Sequence, residues 1–321
     1  MKNCWLIGAG SMAQEYSKYL VKHNIEFKVI GRGKESAEKF TKLTGIPVQI
    51  GGITDVFIST QDVPHYAIVA VNVIELYQVT KSLITLGVKR ILVEKPGSIS
   101  KEEIDDLIGL ASQNKSRIYI AYNRRFYDYI DDLNSMIDED GGILSFHFEF
   151  TELTERILAL DKNPLELQEW MIANSSHVID LAFFIGGNPT QMNSYVQGGF
   201  EWYEYADRFV GSGLTNKGAL FTYNSNWRGP GNWSLEFVTR KRRFKLSPME
   251  EVKFRLHGSF EYQEYIVSKK NEDNIKAGIS SMLDDFFSHN PITLKRLTEQ
   301  AISFDIYHVI QNGSVYRSMA E

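Results

Sequence analysis

The chain has 321 residues, of which 43% are hydrophobic and 23% charged, and its formal net charge is −5 at pH 7. This length predicts two domains, and the slightly acidic charge excludes a general affinity for nucleic acid or anionic membranes. The single cysteine, Cys4, excludes an internal disulfide framework and lies in an apolar run, where we expect a buried core residue. Because we find no apolar stretch of 18 residues and no secretory signal, we expect no membrane span and a cytoplasmic location.

The first strand, turn and helix carry a pattern typical of dinucleotide binding. Cys4–Ile7 is a short apolar strand, followed by Gly-x-Gly-x-x-Ala and an amphipathic helix. In this pattern Gly8 permits the tight turn, Gly10 lets the backbone approach a pyrophosphate, and Ala13 lets the helix pack on the strand. The helix N-terminus offers N–H groups to the phosphates, which favours a dinucleotide over a purely structural turn. The predicted cofactor contacts of this turn are Gly8, Gly10, Ser11, Met12 and Ala13.

The end of the second strand bears on the choice between NAD and NADP. Phe27–Ile30 is apolar, and the residues from Gly31 onward read Gly-Arg-Gly-Lys-Glu-Ser. A site that prefers NAD usually carries an acid here, which would repel a 2′-phosphate. Arg32 would instead bind a 2′-phosphate with a bidentate fork, and Lys34 and Ser36 would add donors. We therefore predict NADP as cofactor, while NAD stays possible if these residues form only a solvated basic turn.

Two later strands also end in polar residues. The strand Tyr66–Val71 ends at Asn72, a candidate cofactor contact, and Ile91–Val93 runs into Glu-Lys-Pro at 94–96. Open parallel sheets bind ligands at the carboxyl ends of their strands, so Glu94 and Lys95 would lie at that edge, where Glu94 is a further candidate cofactor contact. Partial desolvation there would lower the pKa of Lys95 and suit it to proton transfer; the alternative is a surface lysine at a strand end.

Alternating strands and helices up to Ala121 predict an α/β domain with a parallel, doubly wound sheet. The segment Tyr122–Phe126 follows the last of these strands and contains Asn123 and Arg124, both candidates for binding substrate. Arg124 and Arg125 together suit a carboxylate or phosphate on that substrate.

The second half has strands in succession, which predict an open, mostly antiparallel mixed sheet in an α+β domain. We assign a dinucleotide-binding domain to residues 1–122 and a domain for substrate binding and oligomerisation to 123–321, with the last helices able to pack back on the first. Helices are predicted over Leu165–Ile185, Asn274–Ser288 and Leu297–Gln311. The predicted strands are Gly142–Thr151, Gln191–Gln197, Asp207–Leu214, Ala219–Trp227, Trp233–Thr239 and Arg242–Leu246.

Two loops of this half carry distinctive side chains. Trp227 and Trp233 flank a predicted hairpin that would either stack on a sugar ring or pack in a dimer sheet. Arg240–Arg243 is more typical of a solvated hairpin than of an anion site. No group of His and Cys residues has metal-ligand spacing, so we expect no metal.

Four motifs occur together in this chain: Gly8–Ala13, Glu94–Pro96, Tyr122–Phe126 and His177–Leu181. In this order they resemble the Gfo/Idh/MocA oxidoreductases, named for glucose-fructose oxidoreductase and inositol dehydrogenase, over the whole chain. The resemblance implies a Rossmann domain, a mixed sheet whose outer face often forms an oligomer interface, and a tightly held nicotinamide cofactor. It also implies a sugar-like small-molecule substrate. The many aromatic residues of the sheet add the expectation of a homodimer or homotetramer.

The same resemblance implies hydride transfer between a carbinol carbon and the nicotinamide, with a general base for the hydroxyl proton. Lys95 would orient that hydroxyl or relay its proton, and His177 would act as base or acid in a pocket at the domain junction. Asn174 is a further candidate for binding substrate. The alternative for His177 is a buried histidine whose hydrogen bonds are satisfied by Asp180, one helical turn later.

Position 173 departs from the family pattern. Many members carry an aspartate one turn before the histidine, whereas this chain has Ala173, followed by Asn174 and Ser175. Those two side chains supply hydrogen bonds but no charge, so no carboxylate is expected at this point of the helix to polarise His177. Two hypotheses stay open: the substrate is a nucleotide sugar or a keto-sugar, or the chain is a non-catalytic dinucleotide-binding protein that regulates a partner.

Overall fold

The computed structural model describes residues 3–53, 55, 62–266 and 274–318. It divides into two compact units: unit 1 comprises Met1–Phe126 and Asn271–Ile302, and unit 2 comprises Tyr127–Lys270 and Ser303–Glu321. Its strands are β1 Asn3–Ile7, β2 Glu26–Gly31, β3 Val48–Ile50, β4 Tyr66–Val69, β5 Arg90–Glu94, β6 Arg117–Ala121, β7 Ser145–Phe150, β8 Pro189–Gln197, β9 Arg208–Thr215, β10 Leu220–Asn226, β11 Trp233–Val238, β12 Arg242–Leu246, β13 Lys253–Leu256, β14 Gln263–Glu264, β15 Lys295–Arg296 and β16 Val315–Arg317.

The α-helices of the described chain are α1 Ser11–Lys22, α2 Lys34–Thr44, α3 Leu76–Thr85, α4 Lys101–Asn114, α5 Ile130–Glu139, α6 Thr154–Leu158, α7 Pro164–Gln168, α8 Ser176–Gly186, α9 Ile279–Phe287 and α10 Leu297–Asn312. Short 3₁₀ helices occupy Val73–Glu75 and Asn123–Phe126, and Met171–Ser175 is π-helical. Across the described residues, no helix is both long and apolar enough to cross a membrane.

Unit 1 is built on a parallel sheet. In the described chain its strands lie in the order β15-β6-β5-β4-β1-β2-β3, and every neighbouring pair is parallel except β15 with β6. The central strand β5 buries Ile91, Leu92 and Val93 in succession, as expected for a strand covered on both faces. The predicted Rossmann domain with a parallel sheet is therefore confirmed.

The core of unit 1 includes side chains from a distant part of the sequence. Helix α9 buries Phe286 and Phe287 in the same apolar cluster as Leu6 of β1 and Leu92 of β5. Cys4 lies in this cluster with no exposed surface, as predicted, and burial raises the pKa of its thiol. The segment 279–287 is thus part of the core that supports the parallel sheet.

Helix α9 begins later than the predicted start at residue 274. Gly278 precedes it with a φ of 78°, a left-handed conformation that a continuing α-helix does not contain. A Cβ at this position would lie 2.1 Å from the carbonyl oxygen of Asn123, so the backbones pass too closely for any other residue. Residues 274–278 consequently form a loop that packs on unit 1.

Unit 2 contains a mixed sheet, whose order in the described residues is β14-β13-β12-β11-β7-β10-β9-β8-β16. Its neighbouring strands are antiparallel except β7 and β10, which run parallel. The predicted open, mostly antiparallel mixed sheet is therefore confirmed. Along β7, Phe146, Phe148 and Phe150 are buried and alternate with partly exposed residues, the pattern of a strand with one covered face.

Helix α8 covers the aromatic face of this sheet. The ring of Phe183 makes edge contacts with Phe146, Phe148 and Phe221, at centroid distances of 6.1, 5.5 and 5.2 Å. Gly186, the last residue of α8, allows this packing, because a Cβ there would lie 2.4 Å from the Phe146 ring. These aromatic rings therefore form the unit's own core and are not available to an oligomer interface.

The opposite face of the sheet carries mainly polar side chains. Tyr195, Val210 and Leu220 are exposed apolar residues there, on β8, β9 and β10, among serine, threonine and asparagine. In these strands they alternate with buried neighbours, so they share the face that α8 does not cover. The predicted homo-oligomer would have to use this face, and it stays a prediction.

The single helix predicted over Leu165–Ile185 is wrong. The chain instead forms α7, the π-helical segment and then α8. Helix α7 is separate because Asn163 caps it, its side-chain oxygen accepting from the N–H of Leu165 at 2.9 Å, and Pro164 occupies the first helical position. A π-helical turn of five residues leaves the apolar pattern almost unchanged, so periodicity alone predicts one continuous helix.

The hairpin predicted between Trp227 and Trp233 is also wrong. Strands β10 and β11 lie on opposite sides of β7, so the residues between them cross from one side to the other. Trp227 is buried, stacks on Trp202 with centroids 6.2 Å apart, and donates its indole N–H to the carbonyl of Phe150 at 3.4 Å. It belongs to the core of unit 2 and is neither a sugar platform nor part of a dimer sheet.

The hairpin predicted at Arg240–Arg243 is confirmed. Val238 pairs with Arg243 across β11 and β12, and Lys241 and Arg242 both reach the carboxylate of Asp140, at 3.7 and 3.2 Å. A cavity of about 210 Å³ lies between this turn and residues 255–260. Its basic character is reduced because two of its cations are already paired with an acid.

Candidate functional site

The turn between β1 and α1 has the backbone that a dinucleotide requires. Gly8 has a φ of 116°, and a Cβ there would lie 2.1 Å from the carbonyl oxygen of Ala70, so only glycine fits. At Gly10 a Cβ would meet no atom of the described chain within 4 Å, so the backbone is open on that side. Helix α1 begins at Ser11 without a side-chain cap among the described residues. Its first N–H groups and positive dipole end therefore fit the pyrophosphate of a dinucleotide.

A lysine from the loop 274–278 lies beside this turn. The ammonium of Lys276 is 3.7 Å from the sulfur of Met12, and its backbone N–H donates to Glu15 at 2.7 Å. Lys18 fixes the same loop by donating to the carbonyl of Asn274 at 2.7 Å. Sequence reasoning missed Lys276 because it lies 264 residues from Met12 and no local motif marks it.

Arg32 follows β2 at the edge where the ribose of a dinucleotide would bind. Its guanidinium forms an ion pair with Glu75 of the 3₁₀ helix after β4, with 68% of the arginine side chain and 28% of the glutamate side chain exposed. Asn72 caps that helix, its side-chain oxygen accepting from the N–H of Ile74 at 3.3 Å. The structure therefore brings Arg32 and Asn72 to this edge of unit 1 and adds a carboxylate that the sequence had not indicated.

The two other predicted donors at this edge have local partners. Lys34 lies 3.8 Å from Glu38, one turn along α2, and the hydroxyl of Ser36 donates to the carbonyl of Gly33 at 3.0 Å. Both side chains are exposed. Exposed contacts of this kind are weak, so they leave both groups able to turn toward an anion.

Glu94 and Lys95 end strand β5 at the same edge of the sheet. The hydroxyl of Tyr16 on α1 donates to Glu94 at 2.5 Å. Burial raises the pKa of Glu94, while the hydrogen bond from Tyr16 and the charges of Lys95 and Lys276 oppose the rise. This contact fixes the end of β5 to the helix that follows the glycine turn, and the half-buried Lys95 comes next.

Residues from α10 and β15 support the segment after Lys95. The fully buried amide of Gln300 donates to the carbonyl of Pro96 at 2.9 Å and to the hydroxyl of Tyr122 at 3.2 Å. The ammonium of Lys295 lies 5.0 Å from the centre of the Tyr122 ring. Two of the predicted motifs, at 94–96 and 122–126, are thus joined by a side chain that sequence reasoning missed.

The predicted substrate contacts of unit 1 lie in the 3₁₀ helix after β6. Asn123 is buried and donates to the carbonyl of Ala277 at 2.9 Å, which holds the loop 274–278 in place. Arg125 donates to the carbonyl of Thr293 at 3.3 Å, and Arg124 is half-buried. The first of these contacts gives Asn123 a structural function, and its contact with substrate stays a prediction.

His177 is the second residue of α8 in unit 2. It is half-buried, and its ring lies 6.2 Å from that of Trp233 on β11. Ala173 is buried in the π-helical segment before it, and Asp180 is buried on the turn after it. The imidazole of His177 is therefore partly shielded from solvent and lies near the aromatic ring of Trp233.

A buried carboxylate from another part of the chain lies beside this segment, although position 173 itself is alanine as the sequence shows. Glu152 follows β7, is 7% exposed, and accepts from the hydroxyl of Ser175 at 2.6 Å. The amide of Asn174 donates to both of its oxygens, at 3.1 and 3.2 Å. Burial raises the pKa of Glu152, and hydrogen bonds from Ser175, Asn174 and the indole of Trp233 oppose the rise.

The structure thus collects the predicted residues into two groups. Unit 1 brings the glycine turn, Arg32, Asn72, Glu94 and Lys95 to the carboxyl edge of its sheet. Unit 2 brings Asn174 and His177 to one end of α8. In the part of the chain that the structure describes, no group of three or more His, Cys, Asp or Glu side chains could hold a metal ion.

Residues 2–122 match the model of the Gfo/Idh/MocA proteins, described as an oxidoreductase family with an NAD-binding Rossmann fold. This match contains the motifs at 8–13 and 94–96 and confirms the predicted resemblance for residues 2–122. A search of curated protein sequences gave no match.

Several solved structures share the fold of the whole chain. UDP-N-acetylglucosamine 3-dehydrogenase from Acidithiobacillus ferrooxidans has 15% sequence identity and a TM-score of 0.74, with 97% of each chain covered. The WlbA dehydrogenase from Bordetella pertussis, in complex with NADH and UDP-GlcNAcA, has 14% identity and a TM-score of 0.73, with 99% of this chain and 98% of that chain covered. A levoglucosan dehydrogenase, in complex with NADH and L-sorbose, has 14% identity and a TM-score of 0.77, with 99% of each chain covered. At these identities the similarity shows the fold.

Proposed function

We propose that this protein, whose N-terminal domain is that of the Gfo/Idh/MocA oxidoreductases, is an NAD(P)-dependent sugar dehydrogenase or reductase. The reaction is hydride transfer at a CH–OH or C=O carbon of a sugar, sugar derivative or nucleotide sugar. One observation carries the proposal: β1 and β5 run parallel in one sheet, so the open turn at Gly10 and Lys95 lie at the same edge. A dinucleotide bound at that turn would extend along the edge of the sheet at which Lys95 lies.

The cofactor that fits the proposal is NADP(H), with NAD(H) as the second candidate. The nicotinamide, when bound, accepts or returns the hydride. Residues Gly8 to Ala13 would hold the pyrophosphate, and Asn72 and Glu94 would complete the edge. Arg32 would bind the 2′-phosphate in place of its present partner, Glu75.

Proton transfer is assigned to Lys95 and His177. Because the carbinol proton must leave as the hydride does, the reaction needs a base near the hydroxyl oxygen. Lys95 lies half-buried at the end of β5 and would orient that hydroxyl or relay its proton. His177 would accept the proton in the oxidation and return it in the reduction.

The substrate class rests on the fold, on the charge of Arg124 and on two asparagine side chains. Proteins with this fold include one named for UDP-N-acetylglucosamine and one named for levoglucosan, which supports a sugar ring as the reacting part. Arg124 would add a cation for a phosphate or carboxylate on the substrate. Asn123 and Asn174 would donate to sugar hydroxyl groups. We therefore expect a nucleotide sugar to react better than a plain polyol.

The assembly proposed for the protein is a homodimer or homotetramer that uses the sheet face exposing Tyr195, Val210 and Leu220. Light scattering at micromolar concentration should return a multiple of the chain mass of 36.7 kDa. Val210→Arg should shift that mass toward the monomer, because it places a charge in the middle of the face. A monomer mass for the unaltered protein would contradict this part of the proposal.

The test of function follows nicotinamide absorbance with a panel of sugars and nucleotide sugars, in both directions. Lys95→Ala and His177→Ala should each slow turnover by roughly 100- to 10,000-fold, while cofactor affinity stays close to normal. Lys89→Ala is the matched control, because Lys89 precedes β5 and so lies at the opposite edge of the sheet. Near-normal turnover in both site variants would refute the assignment. Cofactor binding without turnover on any substrate would favour the non-catalytic alternative.

A further inference from the structure

Glu152 is a buried carboxylate whose hydrogen bonds all come from neutral donors. Its oxygens accept from the Ser175 hydroxyl at 2.6 Å and from the Asn174 amide at 3.1 and 3.2 Å. No lysine or arginine of the described chain lies within ion-pair distance of it. Most carboxylates with so little exposed surface are paired with a cation, because burying an isolated charge is costly.

A buried glutamate nearby shows the usual arrangement. Glu166, in α7, is 6% exposed, and the ammonium of Lys162 lies 2.6 Å from its carboxylate. The two glutamates are therefore alike in exposure, and they differ in whether a cation compensates the charge. A charge on Glu152 would therefore lack the compensation that Lys162 gives to Glu166.

The hydrogen bonds that Glu152 accepts favour its ionised form, whereas burial raises its pKa. The amide N–H groups of Asn174 can only donate, so the Glu152 oxygens that they contact have to accept. Burial acts in the opposite direction, but each of these hydrogen bonds favours the charged oxygen atoms. A buried negative charge that has no cation as partner stabilises any positive charge that forms near it, because the surrounding dielectric constant is low.

His177 is the group that lies next to this arrangement and becomes positive. The ring of Trp233 lies 6.2 Å from that of His177. Asn174 and Ser175, which hold the carboxylate, lie three and two residues before the histidine. The π-helical turn directs both side chains to Glu152, although successive residues of an α-helix point about 100° apart.

We propose that Glu152 is a positioning residue for His177, whose carboxylate stabilises the imidazolium that forms when His177 takes the carbinol proton. The inference rests on the proposed function for the identity of that proton. The proton moves from the substrate hydroxyl to the imidazole, and Glu152 stays ionised throughout. Glu152 therefore supplies the charge that position 173 lacks, from the segment after β7 instead of from the helix.

Other titratable groups surround this site. Tyr203, from the connection between β8 and β9, is buried near Glu152, and Glu169 beyond it accepts from Tyr205 at 2.9 Å and from Gln311 at 3.3 Å. On α8 itself, Asp180 is buried one turn after His177. Asp180 is the competing source of negative charge for the histidine, so the test has to separate the two acids.

The test measures the pKa of His177 directly by NMR titration of the histidine side chains. The chain has 7 histidines, and His177→Gln identifies the signal of interest. In Glu152→Gln the pKa of His177 should fall by about one unit, because loss of a neighbouring opposite charge typically shifts a pKa by about that much or more. Glu152→Asp should restore most of the shift, and Glu166→Gln should leave it unchanged.

Kinetics with the best substrate give the second readout. In Glu152→Gln the acid limb of kcat/KM should move to lower pH by about one unit, and kcat should fall roughly tenfold or more. The dissociation constant of the cofactor should not change, because the glycine turn belongs to unit 1. A merely structural glutamate would lower the yield of active protein without moving the acid limb.

Failure of this inference can be distinguished from failure of the proposed function. If no substrate turns over but the pKa of His177 falls in Glu152→Gln, the proposed function fails and the coupling stands. An unchanged pKa in folded Glu152→Gln, together with a fall in Asp180→Asn, assigns the charge to Asp180 and overturns the inference. An equal fall in Glu166→Gln overturns it as well, since the effect would then be general. Should Glu152→Gln not fold, Glu152→Asp becomes the test. A tenfold loss of kcat in Glu152→Asp while the pKa of His177 keeps its wild-type value would contradict the inference, because the loss would then not come through the charge on the histidine.

Discussion

Glu75 restrains the arginine that we propose for the 2′-phosphate of NADP(H). The guanidinium of Arg32 is paired with the carboxylate of Glu75, so a 2′-phosphate would have to replace that partner. The same carboxylate would repel the phosphate. Glu75→Gln removes both effects while keeping the shape of the side chain, and we expect it to raise the affinity for NADP(H) selectively.

The size of this gain follows from the exposure of the pair. With 68% of the Arg32 side chain exposed, the ion pair is a surface pair and is worth about 1 kcal/mol at most, or about fivefold in affinity. The contact that replaces it, a charge-assisted hydrogen bond to phosphate, is worth about 1.5–3 kcal/mol. Arg32→Ala should therefore weaken NADP(H) binding by roughly 10- to 100-fold and should leave NAD(H) binding nearly unchanged.

Fluorescence titration of both cofactors against three proteins tests this reasoning. The unaltered protein should bind NADP(H) more tightly than NAD(H), Glu75→Gln should widen the difference up to about fivefold, and Arg32→Ala should abolish it. Raising the salt concentration should narrow the effect of Glu75→Gln, because exposed charges are screened. Equal affinities in the unaltered protein, or no selective loss in Arg32→Ala, would refute the assignment of NADP(H).

Three further outcomes are expected. In Gly186→Ala the new Cβ would lie 2.4 Å from the Phe146 ring, so the free energy of unfolding should fall by about 1–3 kcal/mol in denaturant titrations. Gly109 is exposed on α4 with open space around it, so Gly109→Ala should raise the free energy of unfolding by about 0.5–1 kcal/mol. The reverse order of the two variants would contradict the packing described for α8. Burial alone would raise the pKa of Asp207, but the N–H of residue 199 and the guanidinium groups of two arginines outweigh it and hold the pKa below its usual value. Because a depressed pKa gives stability that is present at neutral pH and lost as pH falls, Asp207→Asn should cost about 2 kcal/mol at pH 7 and progressively less below about pH 4, and a pH-independent difference would count against it. Lys276→Ala should weaken dinucleotide binding about tenfold in a fluorescence titration, and an unchanged affinity would show that the ammonium beside the glycine turn takes no part.

Much of unit 1 could be predicted because its signals are local. Gly8 and Gly10 stand between an apolar strand and an amphipathic helix, and this context identifies the turn without any knowledge of the rest of the chain. Three consecutive apolar residues in β5 predict a central parallel strand, whose carboxyl end places Lys95 at the ligand edge. The family match over residues 2–122 agrees with these local signals.

The residues that sequence reasoning missed are those whose contacts span the chain. Lys276 reaches Met12 across 264 residues, and Gln300 reaches Pro96 across 204. Neither residue belongs to a recognisable motif. In the sequence, a single lysine or glutamine looks like an ordinary surface residue. The ion pair of Arg32 with Glu75 belongs to the same class: each residue reads as a solvated charge until the fold brings the two strand ends together.

Position 173 shows how a pattern can mislead when helical spacing is assumed. On a continuous α-helix the residue four places before His177 faces the same side, so an alanine there reads as a missing charge. The segment is π-helical instead, and it turns Asn174 and Ser175 toward Glu152, which lies 22 and 23 residues earlier in the sequence. A carboxylate can thus reach this region from the segment after β7, without an acid at position 173. The identity of residue 173 alone therefore does not decide between an enzyme and a non-catalytic binder; the pKa of His177, with and without the charge at Glu152, bears on that choice directly.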